Sequence, residues 1–376
     1  MRIFFVTNNY TPYSGGVVSS IITTTEALRT QGHEVFIITL DFLGKQHNDP
    51  DYVIRITCPI KFMYKKNYMA IPWRPTHAIT QLLKKYKPDI VHVHHPFLLG
   101  MSALQAAQTY KIPCVFTYHT MYEEYAHYIP LLPQQWVKPL IHSIVTHFCS
   151  TVNGIIAPSN AIKEYLSLQN INPPIRVIPS PLSPLFFTQH PHTKSLEHKQ
   201  QFKLLLVSRF MPEKNIPFVF NVFKQLPENF TLTLIGYGDQ YETMQTLAFT
   251  TLQLSPNRVT FIPKQSHKRL LNYYHEADLF IFPSQTDTQG IVLAESMSQG
   301  LPIIALDGPG QRDIILNGIN GFIINNTDHA VTTIMKIATD TSLHNQLISG
   351  AFNTAQQYHT NHIVKKLLDF YHMIIS

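Results

Sequence analysis

Short apolar runs alternate with helical patterns along most of the 376-residue chain. Runs such as 3–6 and 279–282 are continuously apolar, which is typical of strands that are covered on both faces. Between the runs lie segments with helical spacing, as in 76–86, where Ile79, Leu82 and Leu83 share one face. This alternation predicts βαβ units and a mainly parallel sheet.

The alternation stops once, over residues 181–201, which are polar and rich in proline and histidine. A chain of this length exceeds one comfortable core, and 44% apolar residues suffice for two. We therefore predict an α/β fold of two doubly wound, Rossmann-like domains, 1–180 and 202–355, joined by a linker at 181–201. Ligands of such sheets bind outside the carboxyl ends of the strands, so the two domains are expected to face a central cleft.

Composition narrows the class of partner. The net charge is +6 with 20 histidines besides, which favours an anionic partner: a nucleotide, nucleic acid or an anionic membrane. Three cysteines without metal or disulfide spacing fit a reducing cytosol. No apolar run approaches the about 18 residues that span a bilayer, so we expect any membrane association to be peripheral.

The stretch PSQTDTQGIVLAESMSQGLP, residues 283–302, runs from a predicted strand end into a helix that begins near Gly290. Asp287 precedes that helix, and Glu295 lies inside it, eight positions later. Two carboxylates, a glycine at the turn and the free amides of a first helical turn can hold a ligand that carries both hydroxyls and phosphate. Taken alone, the stretch is better explained as a surface loop with two solvated acids.

A basic loop, SRFMPEKN, follows the opening strand of the second predicted domain. Arg209 can bind two phosphate oxygens at once, while Lys214 supplies a mobile positive charge. Together they could neutralise a diphosphate leaving group. Alone, this interpretation and a solvated basic loop are about equally supported.

Two glycine-containing loops could bring the backbone close to a ligand. Gly236 and Gly238 lie in LIGYGDQ, which lacks the third glycine of a dinucleotide fingerprint, so a tight turn is the simpler interpretation. Gly15 and Gly16 precede a predicted helix and could present amides to a phosphate or sugar. Each signal is weak by itself.

Histidines follow two predicted strands of the first domain. His92 and His94 share one face of a strand, whereas His95 does not. Since no suitably spaced carboxylate accompanies them, no metal site is predicted. His119 follows the next strand end and could donate to a sugar hydroxyl. A structural histidine is the alternative for each of them.

The segment from Tyr52 to Pro88 carries only positive charge: it contains eight basic residues and no acidic one. Large apolar and aromatic side chains are interleaved, which suits an anionic membrane surface, where each basic residue contributes about 1 kcal/mol. The alternatives are a solvated face over a core helix and a nucleic-acid groove. The predicted membrane contacts are Lys61, Lys65, Lys66, Trp73, Arg74, Lys84 and Lys85.

In their order, these segments resemble the GT-B glycosyltransferases of the large retaining family GT4. The resemblance rests on the Gly15–Gly16 loop, SRFMPEKN, LIGYGD and TDTQGIVLAESMSQGLP. The last segment is similar to the E-x7-E motif of that family, with Asp287 in place of the first glutamate and Glu295 at the second. DIVHVHHPFLLG and TYHTMYEEYAHYIP resemble segments of bacterial diacylglycerol glucosyltransferases, which make membrane glycolipids.

The resemblance implies a role for each motif. Arg209 and Lys214 would bind the diphosphate, Glu295 the ribose diol, and His119 would lie beside the donor sugar. Asp287 would help to orient that sugar. The donor-binding backbone would comprise Gly15, Gly16, Gly236, Gly238, Thr288, Gln289, Gly290 and Ile291. Residues 356–376 would form a C-terminal helix that crosses back to the first domain.

The predicted function is therefore retaining transfer of a hexose, glucose from UDP-glucose, onto a lipid such as diacylglycerol or a glycosylated form of it. The enzyme would act at the inner face of the cell membrane, without cofactor, metal or nucleic acid. The alternatives are a transferase that uses GDP-mannose on a phosphoinositide or polysaccharide, a sugar-nucleotide epimerase, and a basic nucleic-acid binder. The enzymatic interpretation requires Arg209, Lys214, Asp287 and Glu295 to converge at the mouth of the second sheet.

Overall fold

The computed structural model describes residues 1–13, 15–42, 48–64, 67–123, 133–188, 195–196 and 199–376. These residues divide into two compact units. Unit 1 comprises Met1–Pro181 and Thr360–Ser376, and unit 2 comprises Leu182–His359.

The main sheet of unit 1 is wholly parallel and, in the described part of the chain, has the strand order β3-β2-β1-β6-β7-β8-β9. Its strands are β1 (Arg2–Val6), β2 (Glu34–Leu40), β3 (Val53–Ile56), β6 (Ile90–Val93), β7 (Cys114–Thr117), β8 (Gly154–Ala157) and β9 (Ile175–Val177). An antiparallel hairpin, β4 (Ile60–Tyr64) and β5 (Asn67–Ile71), stands apart from this sheet.

Helices cover both faces of the sheet, which explains why its strands are continuously apolar. They are α1 (Gly16–Thr30), α2 (Pro75–Tyr86), α3 (Leu99–Thr109), α4 (Gln134–Thr151), α5 (Asn160–Ser167) and α13 (Thr360–Ile375). In β1, Phe4 faces one core cluster and Phe5 the other, because successive side chains point to opposite faces.

The last helix, α13, belongs to unit 1 although the chain has meanwhile built unit 2. Its side chains Ile363, Leu367 and Phe370 are buried in the core cluster that also contains Phe5. A Cβ at Gly154 would lie 2.8 Å from Phe370 and from Ile374. The helix therefore covers one face of the first sheet.

Unit 2 has a second parallel sheet, with the order β12-β11-β10-β13-β14-β15 in the described residues. Its strands are β10 (Phe202–Arg209), β11 (Phe230–Tyr237), β12 (Val259–Pro263), β13 (Leu279–Phe282), β14 (Ile303–Leu306) and β15 (Gly321–Ile324). Its helices are α6 (Ile216–Phe223), α7 (Tyr241–Thr246), α8 (His267–Glu276), α9 (Ile291–Ser298), α10 (Pro309–Ile314), α11 (Thr327–Thr339) and α12 (Thr341–Ala355).

Counted from its own first strand, this order is 3-2-1-4-5-6, the doubly wound order of dinucleotide-binding sheets. The order reverses between β10 and β13, which are hydrogen-bonded neighbours. The helices that follow these two strands, α6 and α9, pack on opposite faces of the sheet. The crevice at such a reversal is where these sheets bind ligands.

The prediction of two parallel-sheet α/β domains is confirmed, but several boundaries differ. Residues 182–188 of the predicted linker belong to unit 2, because Leu182 and Phe186 are buried in its core. Residues 356–359 also belong to unit 2, and the final helix begins at Thr360. The β4–β5 hairpin was not predicted, because its polar–apolar alternation was read only as a charge run.

Candidate active site

Three of the predicted site residues lie at or just after the carboxyl ends of β10 and β13, the two central strands of unit 2. Arg209 is the last residue of β10, and Lys214 ends a short 3-10 turn, Pro212–Lys214, that follows it. Asp287 lies in the loop between β13 and α9. Because β10 and β13 are neighbours at the reversal of strand order, their loops meet although 73 residues separate Lys214 from Asp287.

Lys214 and Asp287 form a bidentate ion pair. The Lys214 Nζ atom lies 2.7 Å from Oδ1 and 2.8 Å from Oδ2 of Asp287. Lys214 is buried, with 8% of its surface exposed. Burial alone would raise the pKa of the Asp287 carboxyl, but the Lys214 ammonium and a hydrogen bond from Ser284 hold that pKa below its usual value. Asp287 is therefore a carboxylate that fixes a cation in place.

Arg209 is the more accessible cation of the two. Its Nη2 atom lies 3.3 Å from Oε1 of Glu213, and its side chain is 39% exposed. The positive charge of Arg209 also contributes to the lowered pKa of Asp287. The two cations and the carboxylate thus lie at the same strand ends.

The loop after Asp287 leads into the N-terminus of α9. Gly290 is its N-cap residue in the left-handed conformation, with φ of 65°, which a glycine adopts without strain. Within the described residues this cap has no side-chain hydrogen bond, and the first turn contains no acidic residue. Thr288 and Gln289 just before it are buried. The positive end of the helix dipole is thus available to an anion or a partly negative oxygen.

Gly310 supports this loop from the following helix. Its amide donates to the Asp287 carbonyl at 2.9 Å. A Cβ at this position would lie 2.6 Å from the backbone of Gln289 and 2.8 Å from the Asp287 carbonyl. Sequence analysis missed Gly310; the only signal was the glycine pair in DGPGQRD.

Glu295 lies inside α9 and is 4% exposed. Its Oε2 atom accepts a 3.0 Å hydrogen bond from the hydroxyl of Tyr274, a second residue that sequence analysis missed. Burial raises the pKa of the Glu295 carboxyl, while His267 and the Tyr274 hydrogen bond oppose the shift. The contacts of Glu295 therefore differ from those of the Lys214–Asp287 pair. No sequence pattern connects Tyr274 with Glu295.

Gly236 and Gly238 have a steric role. A Cβ at Gly236 would lie 1.8 Å from the carbonyl oxygen of Ser208, and one at Gly238 would lie 2.3 Å from that of Phe210. The two glycines therefore let the end of β11 approach the loop that carries Arg209. That the two glycines also approach a ligand stays a prediction.

In unit 1, the predicted glycine loop opens α1. Gly15 is the N-cap residue and Gly16 the first helical residue. A Cβ at Gly15 would meet no atom of the described residues within 4 Å. This loop follows β1, at the carboxyl end of the first sheet.

Four histidines lie at or just after the carboxyl ends of β6 and β7: His92, His94, His95 and His119. The rings of His92 and His94 stack with centroids 4.3 Å apart, as expected for residues on one face of a strand. His92 Nδ1 lies 2.5 Å from the hydroxyl of Tyr371 on α13, and its Nε2 lies 2.6 Å from Thr117 Oγ1. Burial lowers the pKa of His92 to about 3, so its imidazole is neutral.

His94 contacts His119 directly, with 2.9 Å between Nδ1 and Nε2. Burial lowers the pKa of both imidazoles well below the usual value, and neighbouring histidines add to the shift. The other ring nitrogen of His94, Nε2, is buried without a hydrogen-bond partner among the residues described. His119 is therefore a neutral imidazole whose orientation depends on His94.

The predicted membrane contacts do not form one group. Trp73, Arg74, Lys84 and Lys85 are exposed. Lys61 is exposed as well, but its ammonium group is bound to Asp41, with 2.6 Å between Nζ and Oδ2. Lys65 and Lys66 lie outside the described residues.

The described residues contain neither a cluster of metal ligands nor a membrane-spanning helix. No group of three or more His, Cys, Asp and Glu side chains in this part of the chain has the arrangement of a metal site. None of the helices in the same residues is both long enough and apolar enough to cross a bilayer.

The arrangement in unit 2 can hold a sugar nucleotide. At the point where the strand order reverses, it combines two cations, the Asp287 carboxylate and a helix N-terminus without a capping side chain in the described residues. Cations at this place can stabilise a departing diphosphate. Two units, each with a parallel sheet, are the architecture of GT-B glycosyltransferases, and this chemistry is compatible with that class.

The chain belongs to glycosyltransferase family 4. Residues 14–184 match the family described as Glycosyltransferase Family 4, and residues 189–354 match Glycosyl transferases group 1. The alpha-monoglucosyldiacylglycerol synthase of Streptococcus pneumoniae is 30% identical over 85% of this chain and 74% of its own length. That of Acholeplasma laidlawii is 26% identical over 95% of this chain and 93% of its own. The predicted hexosyltransferase class is confirmed.

A further relative is named after its donor, GDP-mannose, and solved structures at lower identity share the fold. The GDP-mannose-dependent alpha-mannosyltransferase of Corynebacterium glutamicum is 23% identical over the whole of this chain and 90% of its own. Among solved structures, sucrose-phosphate synthase from Thermosynechococcus elongatus superposes with a TM-score of 0.81, at 19% identity over 99% of this chain and 98% of its own. Anabaena HepE in complex with UDP-glucose superposes with a TM-score of 0.75, at 19% identity over 98% of this chain and 99% of its own. The GT-B fold is confirmed.

Proposed function

We propose that this protein transfers glucose from UDP-glucose to a lipid hydroxyl, that of diacylglycerol or of a glycosylated diacylglycerol, with retention of the anomeric configuration. The observation that carries the proposal is the 30% identity, over most of both chains, with a protein named alpha-monoglucosyldiacylglycerol synthase. The chemistry of the Lys214–Asp287 pair at the reversal of strand order is compatible with it.

In this mechanism the bond between the anomeric carbon and the diphosphate breaks, and the bond to the lipid oxygen forms on the same face of the sugar. The proton of the acceptor hydroxyl passes to the departing phosphate oxygen, so the products are UDP and the glucosyl lipid. No dedicated protein base is required.

Lys214 would stabilise the departing diphosphate. An ammonium group has three N–H donors, and its contacts with the two Asp287 oxygens leave one for a phosphate oxygen. Arg209, with its more exposed guanidinium, would bind the same group. Two cations already neutralise the developing charge, which is why the proposal includes no metal.

The remaining residues would hold the sugar and the ribose. The amides at Gly290 and Ile291 would bind sugar oxygens at the start of α9, and Glu295, held by Tyr274, would bind the ribose diol. Asp287, besides fixing Lys214, would contact the donor sugar. His119 would donate a hydrogen bond to a sugar hydroxyl as a neutral imidazole.

The acceptor would be presented by an anionic membrane surface at the inner face of the cell membrane. Arg74, Lys84 and Lys85, exposed in or beside α2, support this part of the proposal. Lys61 is left out of it, because its ammonium group is bound to Asp41.

The test is an assay of nucleotide release. The protein is incubated with UDP-glucose, UDP-galactose or GDP-mannose, with and without diacylglycerol in anionic vesicles. We expect UDP release from UDP-glucose that depends on diacylglycerol, and an α-linked product by NMR. Release from GDP-mannose alone would support a mannosyltransferase, as the relative from Corynebacterium suggests. Conversion of the donor without an acceptor would support an epimerase, and no release at all would refute the enzymatic proposal.

A further inference from the structure

The β4–β5 hairpin has two chemically different faces, since alternate residues of a strand point to opposite sides. One face carries Ile60 and Phe62 of β4, which lie directly opposite Ile71 and Met69 of β5. The other face carries Lys61 and Met63 of β4 and Ala70 of β5, which is the partner of Lys61.

The face with Lys61 and Ala70 packs on unit 1. Ala70 is 5% exposed and belongs to the core of that unit, and Lys61 forms its ion pair with Asp41. In contrast, the four apolar side chains of the other face are 42 to 54% exposed: Ile60, Phe62, Met69 and Ile71. A hairpin of an ordinary water-soluble domain has the reverse pattern, with its polar side chains facing outward.

The surroundings of this apolar face indicate which partner it fits. Trp73, which follows β5, is 70% exposed, and Met63, at the turn end of the opposite face, is 62% exposed. Arg74 comes next, at the N-cap of α2, and the whole region 52–88 contains no acidic residue. Tryptophan, bulky apolar side chains and exposed basic residues together are characteristic of membrane interfaces rather than of protein–protein contacts.

We propose that the apolar face of the hairpin inserts into the acyl layer of an anionic lipid bilayer, while the basic residues Arg74, Lys84 and Lys85 bind the headgroups. This deepens the proposed function, since it names the structure that would bring the enzyme to its lipid acceptor. The basic residues contribute a salt-dependent attraction, whereas insertion of the hairpin is insensitive to salt.

The difference in salt dependence allows a direct test. Vesicle binding of the full chain is measured by co-sedimentation with phosphatidylcholine alone and with added phosphatidylglycerol, at low and high salt. The double variant Phe62→Ser/Met69→Ser is expected to lose about tenfold or more in binding under all these conditions. Lys84→Ser/Lys85→Ser is expected to lose only the part that depends on phosphatidylglycerol and low salt. Leu168→Ser, another exposed apolar residue of unit 1, is the matched control and should bind as wild type.

A second measurement reports insertion itself. The chain has two tryptophans, so Trp136→Phe leaves Trp73 as the single reporter. On addition of vesicles we expect its fluorescence to shift to the blue and to be quenched by brominated acyl chains. Addition of Phe62→Ser/Met69→Ser to this variant should abolish both effects, while circular dichroism checks that the fold is unchanged.

Unchanged vesicle binding in the double variant, or a Trp73 that brominated lipid does not quench, would overturn the proposal. A dimer that Phe62→Ser/Met69→Ser converts to a monomer, with vesicle binding unaltered, would overturn it in favour of self-association. These measurements involve no sugar donor. An inactive protein that still inserts would therefore refute the proposed function alone, and an active protein that does not insert would refute only this inference.

Discussion

At the scale of single residues, the Lys214–Asp287 pair is the most informative feature. An aspartate has a side chain one methylene shorter than the glutamate of the related motif, and here its two oxygens hold an ammonium group at 2.7 and 2.8 Å. The Lys214 ammonium keeps the Asp287 carboxyl charged in a largely buried position. Loss of either one therefore affects both the charge available to a ligand and the stability of unit 2.

Lys214→Ala is expected to reduce turnover by about 100-fold or more, because one donor to the developing phosphate charge is lost. It should also destabilise unit 2 by about 1–3 kcal/mol, because the Asp287 carboxylate is left without its cation. Turnover with UDP-glucose and urea denaturation measure the two effects.

The double variant Lys214→Met/Asp287→Asn separates the effect on turnover from the effect on stability, since it removes both charges. It should recover stability but not turnover. Lys224→Ala, an exposed lysine at the end of α6, is the control and should resemble wild type in both assays. Wild-type turnover in Lys214→Ala would contradict the role assigned to this residue.

His92 provides a prediction on pH dependence. Its pKa is about 3 in the folded protein, against about 6.5 for an unperturbed histidine. Between these values the unfolded chain binds more protons than the folded one, so stability decreases as the pH falls below about 6.5. The expected contribution of this residue is about 2 kcal/mol lost at about pH 5.

His92→Asn should remove that contribution, and the asparagine amide can still reach the Tyr371 hydroxyl in place of Nδ1. The measurement is the free energy of unfolding in urea at about pH 7.5 and pH 5, compared between variant and wild type. The exposed His77, changed to Asn, is the control. An equal loss of stability in wild type and His92→Asn would show that His92 is not responsible.

At the scale of elements, the site is made by strand ends and the turns that follow them. β10 and β11 approach so closely at their carboxyl ends that Gly236 has no room for a side chain beside Ser208. The close approach sets the path of the loop with Arg209, because the amide of Phe210 donates to the Tyr237 carbonyl at 2.7 Å. Gly236, which is also predicted to let the backbone approach a ligand, thus has a packing function.

Gly236→Ala is expected to destabilise unit 2 by about 1–3 kcal/mol, because its methyl group would overlap the Ser208 carbonyl and force the two strand ends apart. Chemical denaturation and hydrogen exchange at β10 and β11 measure the effect. Gly15→Ala adds a methyl group in open space and should change stability by less than about 0.5 kcal/mol. Equal stability of the two variants would refute the steric argument.

At the scale of the whole molecule, the chain forms unit 1, then unit 2, and returns to unit 1 with α13. The return places Phe370 against Gly154 and Tyr371 against His92, so the first unit is complete only when α13 has been synthesised. The stability of unit 1 therefore depends on a helix that follows unit 2 in the chain.

Phe370→Ala should cost unit 1 about 3–5 kcal/mol, because it leaves a cavity under α13. Unit 2 should be unaffected, since distant sites act independently. Hydrogen exchange resolved by segment measures both, with Met373→Ala, a more exposed residue of the same helix, as control. Loss of protection in β10–β15 as well would show that the two units unfold together.

Much of this architecture could be predicted from sequence. Continuous apolar runs and helical spacing are local patterns, so the two parallel sheets and most of their helices were identified, and the motifs were assigned to the correct strand ends. The hairpin was missed because short strands that alternate Ile60, Lys61 and Phe62 resemble a charged surface segment. The ion pair of Lys61 with Asp41 was missed as well, since alternation does not reveal which partner a charged side chain finds.

What the sequence alone determined is the set of parts: two βαβ series, a pair of cations after one strand, and two carboxylates around a glycine after another. Only the tertiary structure decided the partners, namely Lys214 with Asp287, Glu295 with Tyr274, and His92 with Tyr371 across 279 residues. The physical reason is that periodicity records which side of an element is buried. The order in which strands pair, and hence which loops meet, depends on contacts between residues that are remote in the chain.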